Sequence, residues 1–318
     1  MSSRLKLLAF FFVPVLILFG VGLALGPLGS SFMGKEPPEI LKVPRPYIHL
    51  PAETVAHVGD FSITNTLIAS WFTILLLVGL SVLLTRKMNL IPGRRQGLGE
   101  VVVEELLNFV ESISGAKHAR MLFSGVATIF IYVIFNAYLP LLPFFGTIGF
   151  YHSAHGHEEF IAIFRAANTD VNLPLSIAIM SFIFVETWGM RASGVLHYLS
   201  EFINVRQFLQ GLKELFTGKI RTGPMNIIFG FISLFVGVLE IFSHLTRMVS
   251  FTFRLFGNMT AGKILILVSC FLVPFVFTIP FYGLELLIGL IQALIFAGLT
   301  LVFGTVATSP AHEESEQK

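Results

Sequence analysis

The stretch SHLTRMVSFTFRLFGNMTAGK, Ser243 to Lys263, lies in an apolar run that holds no proline between Pro224 and Pro274. Pro224 suits the first turn of a helix, where its missing N–H costs nothing. A helix over residues 224–270 would be about 70 Å long at ~1.5 Å per residue. A bilayer core is only ~30 Å thick, so such a helix must break or lie steeply tilted. Glycines 230, 237, 257 and 262 are the expected bend points. The apolar segment 275–308 would be about 50 Å long and is expected to return antiparallel after Pro274. Two over-long helices studded with polar groups are poor material for simple membrane anchors.

Glu240, His244, Arg247, Arg254 and Asn258 are spaced 4, 3, 7 and 4 residues apart, which is one stripe of an α-helix. Ser243 and Ser250 flank that stripe. On the returning segment Glu285 and Gln292, seven apart, share a face. A turn near 273–274 matches Lys263 with Glu285 in depth, and Arg254 with Gln292. Lys263 and Arg254 point to opposite sides of a straight helix, so both cross-helix contacts cannot be ideal.

Working outward, the rest of the chain sets the solvent. Of 318 residues 54% are hydrophobic and only 13% charged, and the mean hydropathy is +0.81. With repeated apolar stretches of spanning length, these values make an all-α polytopic membrane protein. We expect about five to six membrane helices, an amphipathic surface helix and the long tilted C-terminal hairpin. A net charge of +2, with no basic stripe interleaved with aromatics, excludes nucleic acid as the partner. Cys270 is the only cysteine, so no intrachain disulfide can form. No nucleotide-binding glycine loop, HExxH or nucleophile motif is present, and no cofactor or resident metal is expected.

Residues 1–29 read as a signal peptide or an extra membrane helix; a retained helix is favoured, because the apolar run is long and no small-residue cleavage site stands out. Residues 30–61 carry Pro37, Pro38, Pro44, Pro46 and Pro51 and are expected outside the cytoplasm, extended and irregular. The membrane domain spans 62–308. Its first helix, about 62–85, runs into Arg86, Lys87, Arg94 and Arg95, which mark the cytoplasmic side. Residues 97–116 are amphipathic, with Leu98, Val102, Leu106, Phe109 and Ile113 on one face and Glu104, Asn108 and Glu111 on another. Residues 121–145 cross outward, 171–190 return, and the basic segment 191–223 is again cytoplasmic. The tail 309–318 reads as disordered and cytoplasmic.

This alternation orders the polar groups by depth. Glu240, Ser243 and His244 lie on the cytoplasmic side of Arg254. Asn258, Lys263 and Glu285 lie on its outer side, where Asp170 and Asn172 begin the neighbouring helix. Polar groups thus approach a fixed positive charge from both surfaces, as two half-channels interrupted by it would. Arg247 reads as a packing residue. An ion-coupled secondary transporter would also want buried charges, but it predicts internal repeats and none is visible. A membrane metalloenzyme would have to use His152, His155, His157 and Glu158 in the outer loop, which reads better as solvated.

The motifs RLFGNMTAG at 254–262, LEIFSHLTRMVSFTFR before it, LIQALIFAGLTLVF at 290–303, NTDVNLPLS at 168–176 and FNAYLPLLP at 135–143 resemble the a subunit of F-type ATP synthases. The likeness runs in order from about residue 61 to 308 and leaves the first 60 residues unexplained. It implies a proton-conducting stator whose hairpin faces a rotating ring of c subunits. The peripheral-stalk b subunits, the remaining complex and the lipid bilayer complete its surroundings, and a bacterial inner membrane is its expected home. The resemblance makes Arg254 the arginine that faces the ring carboxylate. It assigns Glu240 and Ser243 to the cytoplasmic half-channel, and Asn258, Glu285 and Gln292 to the outer path; depth order adds His244 to the first, and Lys263, Asp170 and Asn172 to the second. Nucleotide chemistry would belong to other subunits. Two positions depart: Lys263 stands where acidic residues or histidine are usual, and Leu139 replaces an aspartate of some members, while Asn136 matches.

Overall fold

A computed structural model describes residues 3–34, 51–86, 88–89, 91–154, 157–195, 198 and 223–308. Prolines 37, 38, 44 and 46, His155, most of the basic segment 191–223 and the tail 309–318 lie outside the described residues.

The elements are α1 (Ser3–Leu25), α2 (Pro27–Met33), the strands β1 (Thr54–Val58) and β2 (Phe61–Thr64), α3 (Asn65–Thr85), α4 (Arg94–Tyr138), the strands β3 (Gly149–Ala154) and β4 (His157–Ala162), α5 (Asn172–Ser193), α6 (Gly223–Leu272) and α7 (Ile279–Thr308). Five of the helical segments are long and apolar enough to cross a membrane. The architecture is that of an all-α polytopic membrane protein with two small hairpins added.

Of the two forms expected, broken or unbroken and tilted, α6 shows no break. It runs as one helix for 50 residues. Glycines 230, 237, 257 and 262 keep helical backbone, because a helical glycine costs only ~1 kcal/mol relative to alanine and leaves the hydrogen-bond ladder intact. Pro274, which cannot continue that ladder, ends it. Phe275 then takes a φ of 75°, a left-handed conformation uncommon for a side chain of that bulk, and a 3-10 turn, Phe275–Thr278, leads into α7.

α4 is two helices joined at Gly115, whose φ of 71° and ψ of 156° interrupt the helix; glycine adopts that backbone without steric cost. This junction falls where the amphipathic stretch was expected to give way to a crossing helix. The buried stripe differs from the expected one: Leu106 is buried and Val110 only 1% exposed, while Leu98 and Val102 are 71% and 50% exposed.

The other corrections concern the loops. Residues 54–61, expected to be extended and irregular, and 62–64, expected to open the first membrane helix, form the antiparallel β1–β2 hairpin, with Val58 paired to Phe61. The histidine-bearing segment forms a second hairpin, β3–β4, with Gly149 paired to Ala162.

The chain separates into two compact units. Unit 1 comprises Met1–Leu76, Val133–Val171 and Leu255–Gln292; unit 2 comprises Leu77–Tyr132, Asn172–Arg254 and Ala293–Lys318. In unit 1, α1 approaches the turn after α6 through its glycines: a Cβ on Gly22 or Gly26 would meet the carbonyl oxygen of Pro274 or Leu272. Small residues four apart permit such close backbone approach between membrane helices. Phe72, Phe144, Phe145 and Phe164 form an aromatic cluster in the same unit. The core of unit 2 joins Val110, Ala119, Leu122, Val126, Val185, Trp188, Ala297 and Leu301. Trp188 stacks on Phe184 at 5.7 Å and lies against Gly125 and Gly304.

Candidate functional site

Unit 1 holds the residues expected on the outer path. Asn258 donates from Nδ2 to Oε1 of Gln292 at 3.0 Å, tying α6 to α7. Gln292 is 2% exposed. Glu285 is buried, and its carboxylate packs against Gly262, so closely that a Cβ there would overlap it. Among the described residues it makes no hydrogen bond or ion pair. The expected depth match of Lys263 with Glu285 does not become an ion pair. The charges acting on the Lys263 ammonium are those of Arg165 and Glu53. The reason is angular: Gly262, not Lys263, faces α7 at this level.

Around Arg165 a polar cluster is built from segments far apart in sequence. Arg165 is buried and donates from its guanidinium to the Pro51 carbonyl at 2.7 Å and to the Thr169 hydroxyl at 3.2 Å. Burial pushes its proton affinity below the ordinary guanidinium value, opposed by the charges of Glu53 and Asp170. Thr66 donates to Asp170 at 2.9 Å. Asn65, at the start of α3, donates to the Glu53 carboxylate and the Ala162 carbonyl, each at 3.2 Å. Asp170 therefore lies just before α5, held from α3, while Asn172 opens α5 and is exposed. Asn136 accepts a hydrogen bond from Thr73 at 3.3 Å, and Leu139 lies buried in the short 3-10 turn that follows α4.

Arg165→Met tests what that cluster contributes. Removing one member of a buried charge set leaves the others uncompensated and costs ~3 kcal/mol. We expect a clear fall in thermal unfolding temperature in detergent; an unchanged transition would show that the cluster carries no such load.

Unit 2 holds the residues expected on the cytoplasmic path. Glu240 and Ser243 are exposed on α6. His244 lies 3.5 Å from the Glu186 carboxylate of α5, with Nδ1 facing Oε1, and the Phe182 ring stands edge-on at 5.6 Å. Arg247 does pack, as expected: its guanidinium sits 3.3 Å above the Phe303 ring, a cation–π contact. It also faces the charges of Glu186 and Glu240.

Arg254 is half-buried. The Phe251 ring lies 6.0 Å from its guanidinium, and it makes no hydrogen bond or ion pair among the described residues. On other faces of α6, Phe242, Leu245, Val249 and Phe253 are each more than half exposed.

Sequence reasoning missed Glu53, Thr66, Arg165 and Glu186. For Glu186 a signal existed, since a carboxylate in the apolar run of α5 is itself a pointer to function. The other three precede or open membrane segments and carry no such mark.

Five apolar helices of spanning length among the described residues, carrying ionisable groups, define a multi-pass integral membrane protein. The chain matches the family described as ATP synthase A chain over residues 67–305. It is 31% identical over 234 residues to an ATP synthase subunit a of Campylobacter jejuni, covering 74% of this chain and 85% of that one. A subunit a of Trichlorobacter lovleyi is 27% identical over 256 residues, covering 80% and 92%, and one of Gloeobacter violaceus 32% over 236 residues, covering 74% and 80%. The chain belongs to the F-type ATP synthase subunit a family.

Proposed function

We propose that this chain is the proton-translocating stator subunit of a rotary ATP synthase in a bacterial inner membrane. It forms two offset half-channels where it meets a ring of c subunits, with Arg254 between them. The observation that carries this reading is Arg254 itself: an always-charged, half-buried group in an apolar helix, with no partner of its own among the described residues. Burying such a charge in lipid costs ~2.5–3.5 kcal/mol or more, so a carboxylate on another chain is its natural complement.

The physics follows from that pairing. At ~4 Å and an effective dielectric of ~20, Arg254 attracts a carboxylate by ~4 kcal/mol. That lowers the carboxylate's proton affinity by about a thousandfold before desolvation subtracts some of it. A ring carboxylate arriving protonated releases its proton beside Arg254; turned away into lipid, it is better neutral. The same charge repels a proton attempting to pass directly between the half-channels. Each charge crossing is worth ~2.3 kcal/mol per 100 mV, so a leak there would waste the gradient. Glu240, Ser243 and His244 serve the cytoplasmic half-channel. Asn258, Lys263, Glu285, Gln292, Asp170 and Asn172 serve the outer one. The chain makes no ATP by itself; that chemistry belongs to a soluble head anchored through the peripheral-stalk b subunits.

The test is co-purification followed by conduction. The chain is expected to come out of membranes with a ring of small two-helix subunits. Vesicles holding that complex, stripped of the soluble head, should pass protons, and vesicles holding the ring alone should not. A chain that purifies without any such ring, or a complex that is proton-tight, would remove the reading.

A further inference from the structure

The cytoplasmic side of unit 2 contains a charge cluster that the family resemblance does not supply. Glu186 of α5 and His244 of α6 meet at 3.5 Å, and their side chains are only 17% and 13% exposed. Tyr198, just beyond α5, hydrogen-bonds Glu186, while the charges of Arg247 and Glu240 act on it from α6. Arg247 is held in place by its stack on Phe303 of α7. Phe182 closes the apolar side of the imidazole. Among the described residues, the titratable and charged groups around the pair are therefore Glu240, Arg247 and Tyr198.

With His244 neutral, the two glutamates and Arg247 leave the cluster with one net negative charge. One added proton neutralises it, and that proton can sit on the imidazole or on the Glu186 carboxyl. A cluster that is one proton short of neutral, at membrane depth and against an apolar wall, is built to load and unload a single proton.

We propose that Glu186 and His244 act together as the proton-exchange pair of the cytoplasmic half-channel. Water on the cytoplasmic side gives up a proton to the pair, or takes one from it, and the ring carboxylate is the other party to the exchange. No bond but N–H or O–H forms or breaks. This rests on the stator reading above and adds to it a residue, Glu186, and a dependence on cytoplasmic pH.

The test uses the whole complex in inverted vesicles stripped of the soluble head, with the cytoplasmic face outward. Proton uptake driven by a potassium diffusion potential is followed while the bath pH is stepped from about 5 to about 8, the range in which histidine titrates. Glu186→Gln and His244→Gln are each expected to slow uptake at least about tenfold and to move the inflection of rate against bath pH. The double variant should be no slower than the worse single one, because the two groups act as a unit. Rates are normalised to the assembled complex, and if one variant fails to assemble the other decides alone. Unchanged rate and inflection in the single variants, or losses that multiply in the double, would overturn the pair's role. If wild-type vesicles take up no protons, the stator reading itself falls; if they do and the variants match them, only the pair falls.

Discussion

Arg254→Ala is expected to abolish ATP-driven proton pumping by inverted vesicles while leaving the chain in the membrane and in its complex. The expectation comes from what the side chain does and does not touch. Arg254 makes no internal ion pair among the described residues, so its removal strands no carboxylate within this chain. Packing loss is limited, because the side chain is itself only half-buried. What disappears is the fixed charge that would draw the proton off an arriving carboxyl group. About 4 kcal/mol of attraction at an effective dielectric of ~20 corresponds to a rate loss of about a thousandfold, below what vesicle assays resolve. Arg254→Lys should rescue little, since a desolvated ammonium can give up its proton and a guanidinium cannot. Pumping at the wild-type rate in the alanine variant would refute the assignment.

The second large effect is expected at Gly262. Its missing Cβ is the space that the Glu285 carboxylate occupies, with the carboxyl carbon and both oxygens inside the overlap distance. Gly262→Ala therefore forces either the helices or the carboxylate to move. Overpacking of this kind costs ~1–3 kcal/mol, and displacing a working group by about 1 Å can cost about a hundredfold in rate. Proton conduction should fall by that order, whereas thermal stability falls only modestly. Shortening the carboxylate offers a compensation: Gly262→Ala with Glu285→Asp should recover part of the conduction lost by the first change alone. A fully active Gly262→Ala variant would mean that Glu285 need not stand where it does.

The sequence made the apolar helices legible because hydropathy is a local signal that length alone converts into spans. The polar stripe of α6 was legible for the same reason: every member sits on one helix, and helical spacing places it. What failed was non-local. Glu53 acts on Lys263 across most of the chain's length, and spacing arguments confined to α6 and α7 could offer only Glu285. Glu186 reaches His244 from another helix, so its apolar neighbours in sequence concealed its company in space. The hairpins β1–β2 and β3–β4 were missed because pairing between short strands leaves little alternation to read. For α6, matching helix length to bilayer thickness left a break and a steep tilt open; nothing within the helix interrupts its hydrogen bonds, so the break is the alternative that falls.

That unbroken α6 has a consequence for how the chain can vary. A single 50-residue helix fixes rotational phase from one end to the other. At 3.6 residues per turn, inserting one residue turns everything beyond it by ~100°. A substitution at an exposed position such as Phe242 or Val249 changes one side chain, whereas an insertion between His244 and Arg254 would swing the arginine off its face altogether. Diversity among such chains should therefore accumulate as replacements along α6, with added or lost residues displaced to its ends. The helix is a ruler as well as a wall.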